Sequence, residues 1–538
     1  MKNTSKLIYA FMIPVIPALL MSACSDSRNA PPAENSPVSA AVSDGQNEAQ
    51  PENNKAAAAQ KDITVISITS ESGSTKFATE PVAGHVSEQI ALWTPNFKKP
   101  PEPYYEKCTV TVTDKNGNVT LDSAGAQVKV RGNWTTSYVK KPLRIKFDEK
   151  QEMPEMHEGK KFKNWVLLAE YKDISLLRDK TALSFSRALL EKDGLYASDS
   201  ELAEVYINGE YFGVYLLAEY QQINPDRVNI TENPKDYQGT DIGYFMEFDG
   251  YFYNEDPFYA FHPDYADNAA LIPFDGNGGS GKTMQCLGGN KSDIGISIKS
   301  DINSPAQHDF IASYTENVYN ILYSAAYENK AFVFNEDHTD IYETTDLTPH
   351  EAAEKAADLD SLADMYIISE LTCDADIYWS SFFMDADFGE NGDKRLHFEA
   401  PWDFDSSMGL KERCSDGTGF YAANIVPDVN MNYETMNPWL AVMMYDEEFQ
   451  KLISKKWTEA YDSGVFEDSL EAVKNDAAEY APAFERNYQK WDNIRNNFAI
   501  VGEFSERTKK CRSHADACDQ LYEWFSKRIE FLNGYWHE

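Results

Sequence analysis

Apolar and polar residues alternate along several short runs in the first part of the chain, which is the pattern of half-buried β-strands. Tight turns of Asn and Gly, at 116–118 and at 208–209, separate neighbouring runs and are typical of hairpins. A continuous apolar run at 164–168 is consistent with a strand buried on both faces. The sequence therefore predicts a β-rich region, with alternating runs at 64–68, 108–113, 127–130, 143–147, 201–207 and 211–217.

The apolar period changes to that of helices in the second part of the chain. One helix is expected earlier, at 176–191, because Asp173 and Ser175 precede it as capping residues. The predicted fold class is α+β, with a β-rich lobe at 61–232 and a mainly helical lobe at 233–538. The later helices are predicted at 305–327, 350–372, 437–463, 470–495 and 511–535.

The first 60 residues are not expected to belong to the fold. Lysines at positions 2 and 6 precede an apolar run at 7–21, which is typical of a secretory signal at 1–23. The segment LMSAC ending at Cys24 resembles a bacterial lipobox, in which this cysteine is lipidated; cleavage by ordinary signal peptidase is the alternative. Residues 24–60 are poor in large apolar side chains and read as a disordered tether. We expect an envelope protein, attached through lipid on Cys24 to the outer membrane or cell surface.

Charge and cysteine content bear on nucleic acid binding, disulfides and zinc. A net charge of -38 argues against binding nucleic acid, because that requires clustered Lys and Arg. Six cysteines remain besides Cys24, and they allow fifteen pairings, of which a local Cys511–Cys518 bridge is one. The chain has no CxxC pair and no HExxH motif, so we expect no zinc site.

Two acidic clusters stand out in apolar and aromatic surroundings: Asp374 with Asp376, and Asp403 with Asp405. Carboxylates packed this closely repel one another unless a cation lies among them, and hard oxygen ligands favour Mg²⁺ or Mn²⁺. The sequence therefore predicts a divalent-metal site. The alternative interpretation is that these are turn aspartates that cap helices or bracket a hairpin.

A basic segment follows a glycine-bearing turn in the β-rich region. Gly132 allows close approach of the backbone to a ligand, and Lys141, Arg144 and Lys146 offer cations in an otherwise acidic protein. Such a segment suits phosphate. A β-hairpin with solvated lysines is the alternative.

Residues 276–283, GNGGSGKT, match the P-loop pattern GxxxxGK[ST]. A P-loop requires a helix directly after it, and the following residues, TMQCLGGN, do not have a helical pattern. We therefore interpret this segment as a flexible surface loop.

Four segments in order resemble the CotH family of atypical protein kinases, and the resemblance as a whole spans roughly residues 75–535. They are RGNWT with KKPLRIKF at 131–147, WVLLA through DISLLR at 165–178, NGEYFGVYLLAE at 208–219 and PWDFDSSMG at 401–409. The resemblance implies a protein-kinase-like fold of two lobes, which uses ATP and Mg²⁺ or Mn²⁺ to phosphorylate Ser or Thr of a protein. With export, the implied acceptor is a surface or secreted protein.

The resemblance also implies roles for individual residues. Asp376 matches the catalytic-loop aspartate, and Asp403 matches the metal-binding aspartate of a DFG-like element. Asp405, Asp374 and Ser381 are further candidate metal ligands. The implied nucleotide-binding residues are Arg131, Gly132, Lys141 or Lys146, Arg178, and Glu219 at the connection between the lobes.

One departure from the kinase pattern leaves the activity open. Kinases usually carry a metal-binding asparagine five residues after the catalytic aspartate, whereas position 381 is serine. A catalytically silent kinase-like protein that binds or assembles a surface structure is therefore the main alternative. A third hypothesis is a metal-dependent glycosyl- or phosphotransferase that uses Asp374-Ala375-Asp376 as a DxD motif.

Overall fold

Seven strands in the first part of the chain form a closed barrel, in the spatial order β1-β2-β3-β4-β5-β7-β6. Neighbouring strands are antiparallel except β1 and β6, which pair in parallel and close the barrel. The strands are β1 (Thr64–Ser70), β2 (Glu106–Thr113), β3 (Val119–Val130), β4 (Leu143–Gln151), β5 (Phe162–Leu168), β6 (Ser200–Ile207) and β7 (Glu210–Glu219).

The alternating runs and both hairpins are confirmed. Alternate residues in the second half of β3 and the first half of β4 face the barrel interior, where Val128 and Ile145 are fully buried beside Trp165 of β5. The β6–β7 turn places Asn208 and Gly209 at φ values of 51° and 81°. This left-handed backbone suits Asn and Gly, which explains why the pair marks the turn in the sequence.

A second sheet of five strands, in the order β16-β15-β8-β12-β9, lies in the part predicted to be mainly helical. Its strands are buried on both faces, and so they lack the alternation that identified the barrel. Two further pairs of short strands, β10–β11 and β13–β14, lie in the part of the chain that the structure describes. The bounds are β8 (Gly243–Asp249), β9 (Ala260–Phe261), β10 (Ala270–Leu271), β11 (Met284–Gln285), β12 (Gly295–Ile298), β13 (Ala331–Phe334), β14 (Ile341–Thr344), β15 (Phe382–Asp387) and β16 (Leu396–Glu399).

The predicted helices exist, but three of them are divided. The predicted helix 350–372 breaks at Ala357, and the Asp358 side chain then caps a new helix. The predicted helix 437–463 is divided before Asp446, whose side chain caps the second part. The predicted helix 470–495 is divided before Pro482, which lacks an N–H and lies in the first turn of the second part. The helices are α1 (Lys76–Thr79), α2 (Gly84–Trp93), α3 (Arg178–Leu190), α4 (Tyr265–Asn268), α5 (Pro305–Tyr323), α6 (Pro349–Ala356), α7 (Leu359–Thr372), α8 (Pro438–Val442), α9 (Glu447–Asp462), α10 (Val465–Glu479), α11 (Ala481–Lys490) and α12 (His514–Trp536).

The computed structural model describes residues 63–268, 270–276, 284–285, 294–413, 415–425, 436–498 and 500–538. They belong to one compact unit, Gln60–Glu538, so the division into two kinase lobes stays a prediction. The predicted signal, tether and lipidated Cys24, and all of the P-loop-like segment after Gly276, lie outside the described residues. Within them, no helix has the length and apolar character to cross a membrane.

The possible Cys511–Cys518 bridge is not formed. Both residues are buried thiols, and the Cys518 sulfur lies 3.4 Å from His514 Nε2. Their spacing of seven residues permitted a bridge but did not decide the pairing.

Candidate active site

The first pair of aspartates lies in the turn after α7. The helix ends at Thr372, and Cys373 takes the left-handed conformation with φ 50°. The N–H of Asp376 donates to Asp374 Oδ1 over 3.0 Å, and the carbonyl of Asp376 accepts from Trp379 N–H over 2.7 Å. These bonds fix a tight turn that presents the Asp376 side chain, which is 32% exposed.

The second pair lies in a loop of unusual backbone after β16. Ala400, Asp403, Met408 and Gly409 all have positive φ values, and that of Asp403 is 74°. Asp tolerates this region better than most residues, but such a conformation persists only where its surroundings fix it. The N–H of Met408 donates to Thr372 O over 2.7 Å, and this bond joins the loop to the end of α7.

Helix α3 supports the loop from behind. The N–H of Phe404 donates to Asp179 Oδ1 over 2.6 Å. Arg178 is fully buried and ion-paired with Asp173, and its Nε donates to Ser407 O over 3.1 Å. The two residues therefore hold Asp403 and Asp405 in place through the backbone on either side.

The four aspartates form one group, which we call the acidic site. Burial and the neighbouring charges of Asp405 and Asp376 raise the pKa of Asp403 to about 7. Burial also raises the pKa of Asp374 and Asp405, which are only 4% and 7% exposed. Asp403 is half-buried, so the two partly exposed carboxylates are those of Asp376 and Asp403.

Cations surround the acidic site. Lys172 Nζ lies 3.1 Å from Asp405 Oδ1 and 3.9 Å from Glu503 Oε2, with its side chain 8% exposed. Lys411 Nζ lies 3.7 Å from Asp376 Oδ1. Burial acts to raise the pKa of Asp376, but Lys411, Lys172 and Arg413 together lower it. Asp376 is therefore ionised at neutral pH, as a group that orients a hydroxyl must be.

The glycine-bearing turn reaches this site from the barrel. The Arg131 guanidinium lies 5.7 Å from the Trp402 ring, and its charge opposes the rise in the pKa of Asp403. Gly132 has φ 95°, and a Cβ there would come within 2.5 Å of Thr135 Oγ1. Position 132 thus requires glycine for the turn itself.

Lys141, Lys146 and Glu219 are also implied by the resemblance. Lys141 is buried and donates to Thr136 O. Lys146 is exposed on β4, four residues along the paired strands from Arg131, or about 13 Å. Glu219 is fully buried and pairs with His157 and Arg227. Lys146 is therefore distant from Arg131, and the contacts of Lys141 and Glu219 do not include the four aspartates.

Arg178 and Ser381 have partners of their own. The buried Arg178 guanidinium donates to the carbonyls of Ser407 and Met408 and to the side chains of Asp173, Ser175 and Gln520, so it supports the loop. The N–H of Ser381 donates to Glu247 Oε1 over 2.9 Å, and Glu247 is paired with Lys299 over 2.9 Å. Neither residue contacts the acidic site directly through these bonds.

Sequence reasoning missed Lys172, Lys411 and Lys129. Lys172 directly precedes the Asp173 cap, but a single lysine before a helix gives no signal of ion pairing with residues 405 and 503. Lys129 lies opposite Arg144 in the β3–β4 pair, next to Arg131 on the outer face. Alternation along β3 could have placed Lys129 on that face, but not the tertiary neighbours of the two other lysines.

The acidic site fits a Mg²⁺ or Mn²⁺ ion in the chemistry of its donors, which are all carboxylate oxygens. Burial is the main cause of the raised pKa of Asp403, and the like charges of Asp405 and Asp376 add to it; a bound cation would relieve this added repulsion. Within the described residues, no group of three or more His, Cys, Asp or Glu side chains is arranged to hold a metal.

Comparison with known proteins agrees with the resemblance found in the sequence. No curated protein matches the chain. The family model described as CotH kinase protein matches residues 128–532, which include Arg131, Lys172 and all four aspartates. The chain therefore belongs to the CotH kinase protein family.

Proposed function

We propose that this chain is an exported, lipid-anchored protein kinase that transfers the γ-phosphate of ATP to Ser or Thr of a surface or secreted protein. Membership of a kinase family supports the reaction class. The observation that carries the proposal is the convergence of Asp376 and Asp403, the two partly exposed carboxylates, with Arg131 beside them.

A row of cations on the outer face of the barrel supports nucleotide binding. Lys129 and Arg144 are paired across β3 and β4, and Arg131 follows two residues after Lys129. Among the described residues, none of the three is in an ion pair, and burial with the charges of Arg144 and Arg131 lowers the pKa of Lys129. Like charges at this spacing repel one another, so an anion such as a triphosphate would be favoured here.

A cavity of about 340 Å³ lies at the far end of this row. Asn164 lines it and accepts from the Arg144 guanidinium over 2.9 Å, while Arg144 stacks 4.1 Å from the centre of the Tyr220 ring. The register places Asn164 two strands and about four residues from Arg131, on the order of 16 Å. A nucleotide with its base near Asn164 would extend its phosphates along Arg144 and Lys129 towards Arg131.

In this arrangement Asp376 orients the acceptor hydroxyl and takes its proton, while Asp403 is the metal ligand. The divalent ion, when bound, neutralises charge on the transferred phosphoryl group. Arg131 and the row of cations hold the phosphates, and Asp179 and Arg178 keep the Asp403 loop fixed. The acceptor would approach from the solvent side of Asp376.

Phosphoryl transfer is tested with purified protein, radiolabelled ATP and Mn²⁺. We expect the protein to label itself or a casein-like acceptor, and Asp403→Ala to lower the rate by roughly 10³-fold or more. Asp393→Ala is the matched control, because Asp393 is an acidic residue of the β15–β16 connection that pairs with His397 and Arg395. Equal loss in both variants, or none in Asp403→Ala, would contradict the proposal.

A catalytically silent kinase-like protein is the second candidate. It is favoured by the serine at position 381 and by the engagement of Asp405 with Lys172. Nucleotide binding without any labelling of the protein or an acceptor would support this candidate. Hydrolysis of a sugar nucleotide would support the DxD transferase hypothesis instead.

The envelope location is proposed from the sequence of the first 24 residues. Metabolic labelling with a fatty acid is expected to modify the wild-type chain and not Cys24→Ser, and only the wild type should remain with membranes. Labelling of Cys24→Ser would contradict lipidation at this cysteine, without bearing on the kinase reaction.

A further inference from the structure

Lys172 lies where a cation among the aspartates would be needed. Its ammonium group is 3.1 Å from Asp405, and its charge acts on Asp376 and Asp403 as well. On its other side, Lys172 Nζ lies 3.9 Å from Glu503 Oε2. The Tyr138 hydroxyl donates to Glu503 Oε1 over 3.0 Å and so fixes this carboxylate. A lysine that is 8% exposed within this group of carboxylates is a fixed part of the site.

The usual ligand for a second metal ion is absent. Protein kinases hold two Mg²⁺ ions through the DFG aspartate and a catalytic-loop asparagine. Ser381 stands at the position of that asparagine, with its N–H bonded to Glu247. The neighbouring carboxylates, Glu247 and Asp249, already share the Lys299 ammonium group at 2.9 and 3.4 Å.

Cations already lie among the carboxylates of the site before any metal ion binds. The carboxylates are the four aspartates and Glu503, with Asp179 and Glu170 also acting on Asp405, and the cations are Arg131, Lys172, Lys411 and Arg413. Lys172 is the cation in contact with Asp405, at 3.1 Å. A second divalent ion would have to bind beside Lys172, at a cost that grows as the site is dehydrated.

We propose that the Lys172 ammonium group replaces the second divalent cation, so that this site binds one metal ion with the nucleotide. The proposal rests on the proposed kinase function and deepens it. Asp403 is then the metal ligand, and Asp405 is the partner of Lys172. Removing Lys172 leaves Asp405 and Glu503 without their cation and opens a second metal site between them.

Metal stoichiometry tests this directly, without measuring activity. Mn²⁺ binding to the full chain is followed by electron paramagnetic resonance, with a saturating non-hydrolysable ATP analogue and correction for Mn²⁺ bound to free nucleotide. We expect one Mn²⁺ per chain for the wild type and for Lys172→Arg, and two for Lys172→Gln. Arg486→Gln is the control, because it breaks a 2.8 Å ion pair with buried Glu204 elsewhere, and one Mn²⁺ is expected.

Ser381→Asn separates the role of the lysine from that of the serine. Ser381 has φ 62°, a backbone conformation that Asn adopts readily, so this variant should fold. We expect one Mn²⁺ for Ser381→Asn, because Lys172 is still present.

Several results would overturn the inference. Two Mn²⁺ in the wild type or in Ser381→Asn would do so and would leave the proposed function standing. One Mn²⁺ in folded Lys172→Gln would do the same. If Lys172→Gln does not fold, the wild-type value alone decides. No nucleotide-dependent Mn²⁺ in the wild type would overturn both this inference and the proposed function.

Discussion

Two acid-rich regions of this protein differ in how their charges are satisfied. The edge cluster, at the β15–β16 edge of the second sheet, consists of Asp358, Asp385, Asp393 and Glu399 with His397 and Arg395. Burial raises the pKa of the enclosed Asp385 and Glu399, so the contrast concerns the more exposed members. His397 lies 3.0 Å from both Asp358 and Asp393, and Arg395 lies 2.8 Å from Asp393. In the acidic site, by contrast, Asp403 is repelled by Asp405 and Asp376 on a backbone of positive φ.

The difference shows that a high density of acidic residues does not by itself indicate a ligand site. In the edge cluster, hydrogen bonds and ion pairs with His397 and Arg395 lower the pKa of Asp393 against the effect of burial, so its ionised form stabilises the fold. In the acidic site, burial and like charge raise the pKa of Asp403 to about 7, so its ionised form costs stability. A raised pKa at a carboxylate that is partly exposed is the feature expected of a ligand site.

The largest expected effect is the loss of phosphoryl transfer when either partly exposed carboxylate is removed, and Mn²⁺ binding then distinguishes the two. Asp376→Asn and Asp403→Asn should each lower phosphoryl transfer by roughly 10³-fold, but only Asp403→Asn should lose nucleotide-dependent Mn²⁺ binding. Kinetics and Mn²⁺ titration check this. Asp393→Asn, in the edge cluster, should leave both measurements unchanged; a similar loss there would remove the distinction between the two regions.

Asp403→Asn also tests whether the ionised Asp403 carboxylate destabilises the folded protein. The raised pKa means that the Asp403 contribution to stability is present below the unfolded value of 3.8 and is lost as pH rises through about 7. Without metal, Asp403→Asn should therefore raise Tm by roughly 1–3 °C at pH 8, with a smaller difference at pH 5. A lower Tm at pH 8 would contradict repulsion at this site.

Arg178→Met should destabilise the protein by about 3–5 kcal/mol, because it leaves the Asp173 carboxylate buried without its partner. The Asp403 loop should become less ordered as its bond to Ser407 O is lost. Chemical denaturation gives the first effect, and hydrogen exchange at 404–409 gives the second. Hydrogen exchange at 396–399, in the edge cluster, should increase only by the amount that the lower global stability explains.

Arg144→Gln should raise the KM for ATP by about 10-fold and change kcat little, because it removes binding made equally in the ground and transition states. Steady-state kinetics against ATP measures this. The control is Lys115→Gln, which breaks an exposed ion pair with Glu155. A loss confined to kcat would place Arg144 in the chemical step instead of in phosphate binding.

The smallest expected effect is in the edge cluster. Side-chain hydrogen bonds with Asp358 and Asp393 outweigh burial and raise the pKa of His397 to about 10. The stability it provides is fully present below pH 6.5 and is lost as pH rises through about 10. His397→Gln should cost about 1–2 kcal/mol at pH 7, less at pH 10, with activity per folded molecule unchanged. A cost independent of pH would contradict the ion pairs.

Local sequence signals predicted the parts of the fold whose environment is decided locally. Alternation located the barrel strands, and Asn208-Gly209 located a hairpin, because φ preference and side-chain period act within a few residues. Apart from an apolar, strand-like run between the two acidic clusters, where β15 lies, the strands of the second sheet were missed, since burial removes their alternation. Residues Ala357 and Asp358 divide a predicted helix because the Asp358 side chain caps the second half.

The candidate site, like the fold, was predictable only where local sequence signals decide it. The order of motifs indicated Asp376 and Asp403, and the family match is consistent with that indication without testing the roles of the residues. The Lys172–Asp405 pair joins positions more than two hundred residues apart, and no local pattern records it. Glu219 and Lys146 fitted a kinase order along the chain, but strand direction and register placed one in a buried ion pair and the other on open surface.

The sequence by itself determined the family, the barrel strands and the identity of the clustered aspartates, because periodicity, turn chemistry and motif order are written along the chain. The tertiary structure alone decided which carboxylates are exposed and which cations face them. Ion pairs form between groups that folding brings within a few ångströms, whatever their separation in sequence. Closure of the barrel and the loop at 400–409 therefore distinguish the acidic site from the edge cluster.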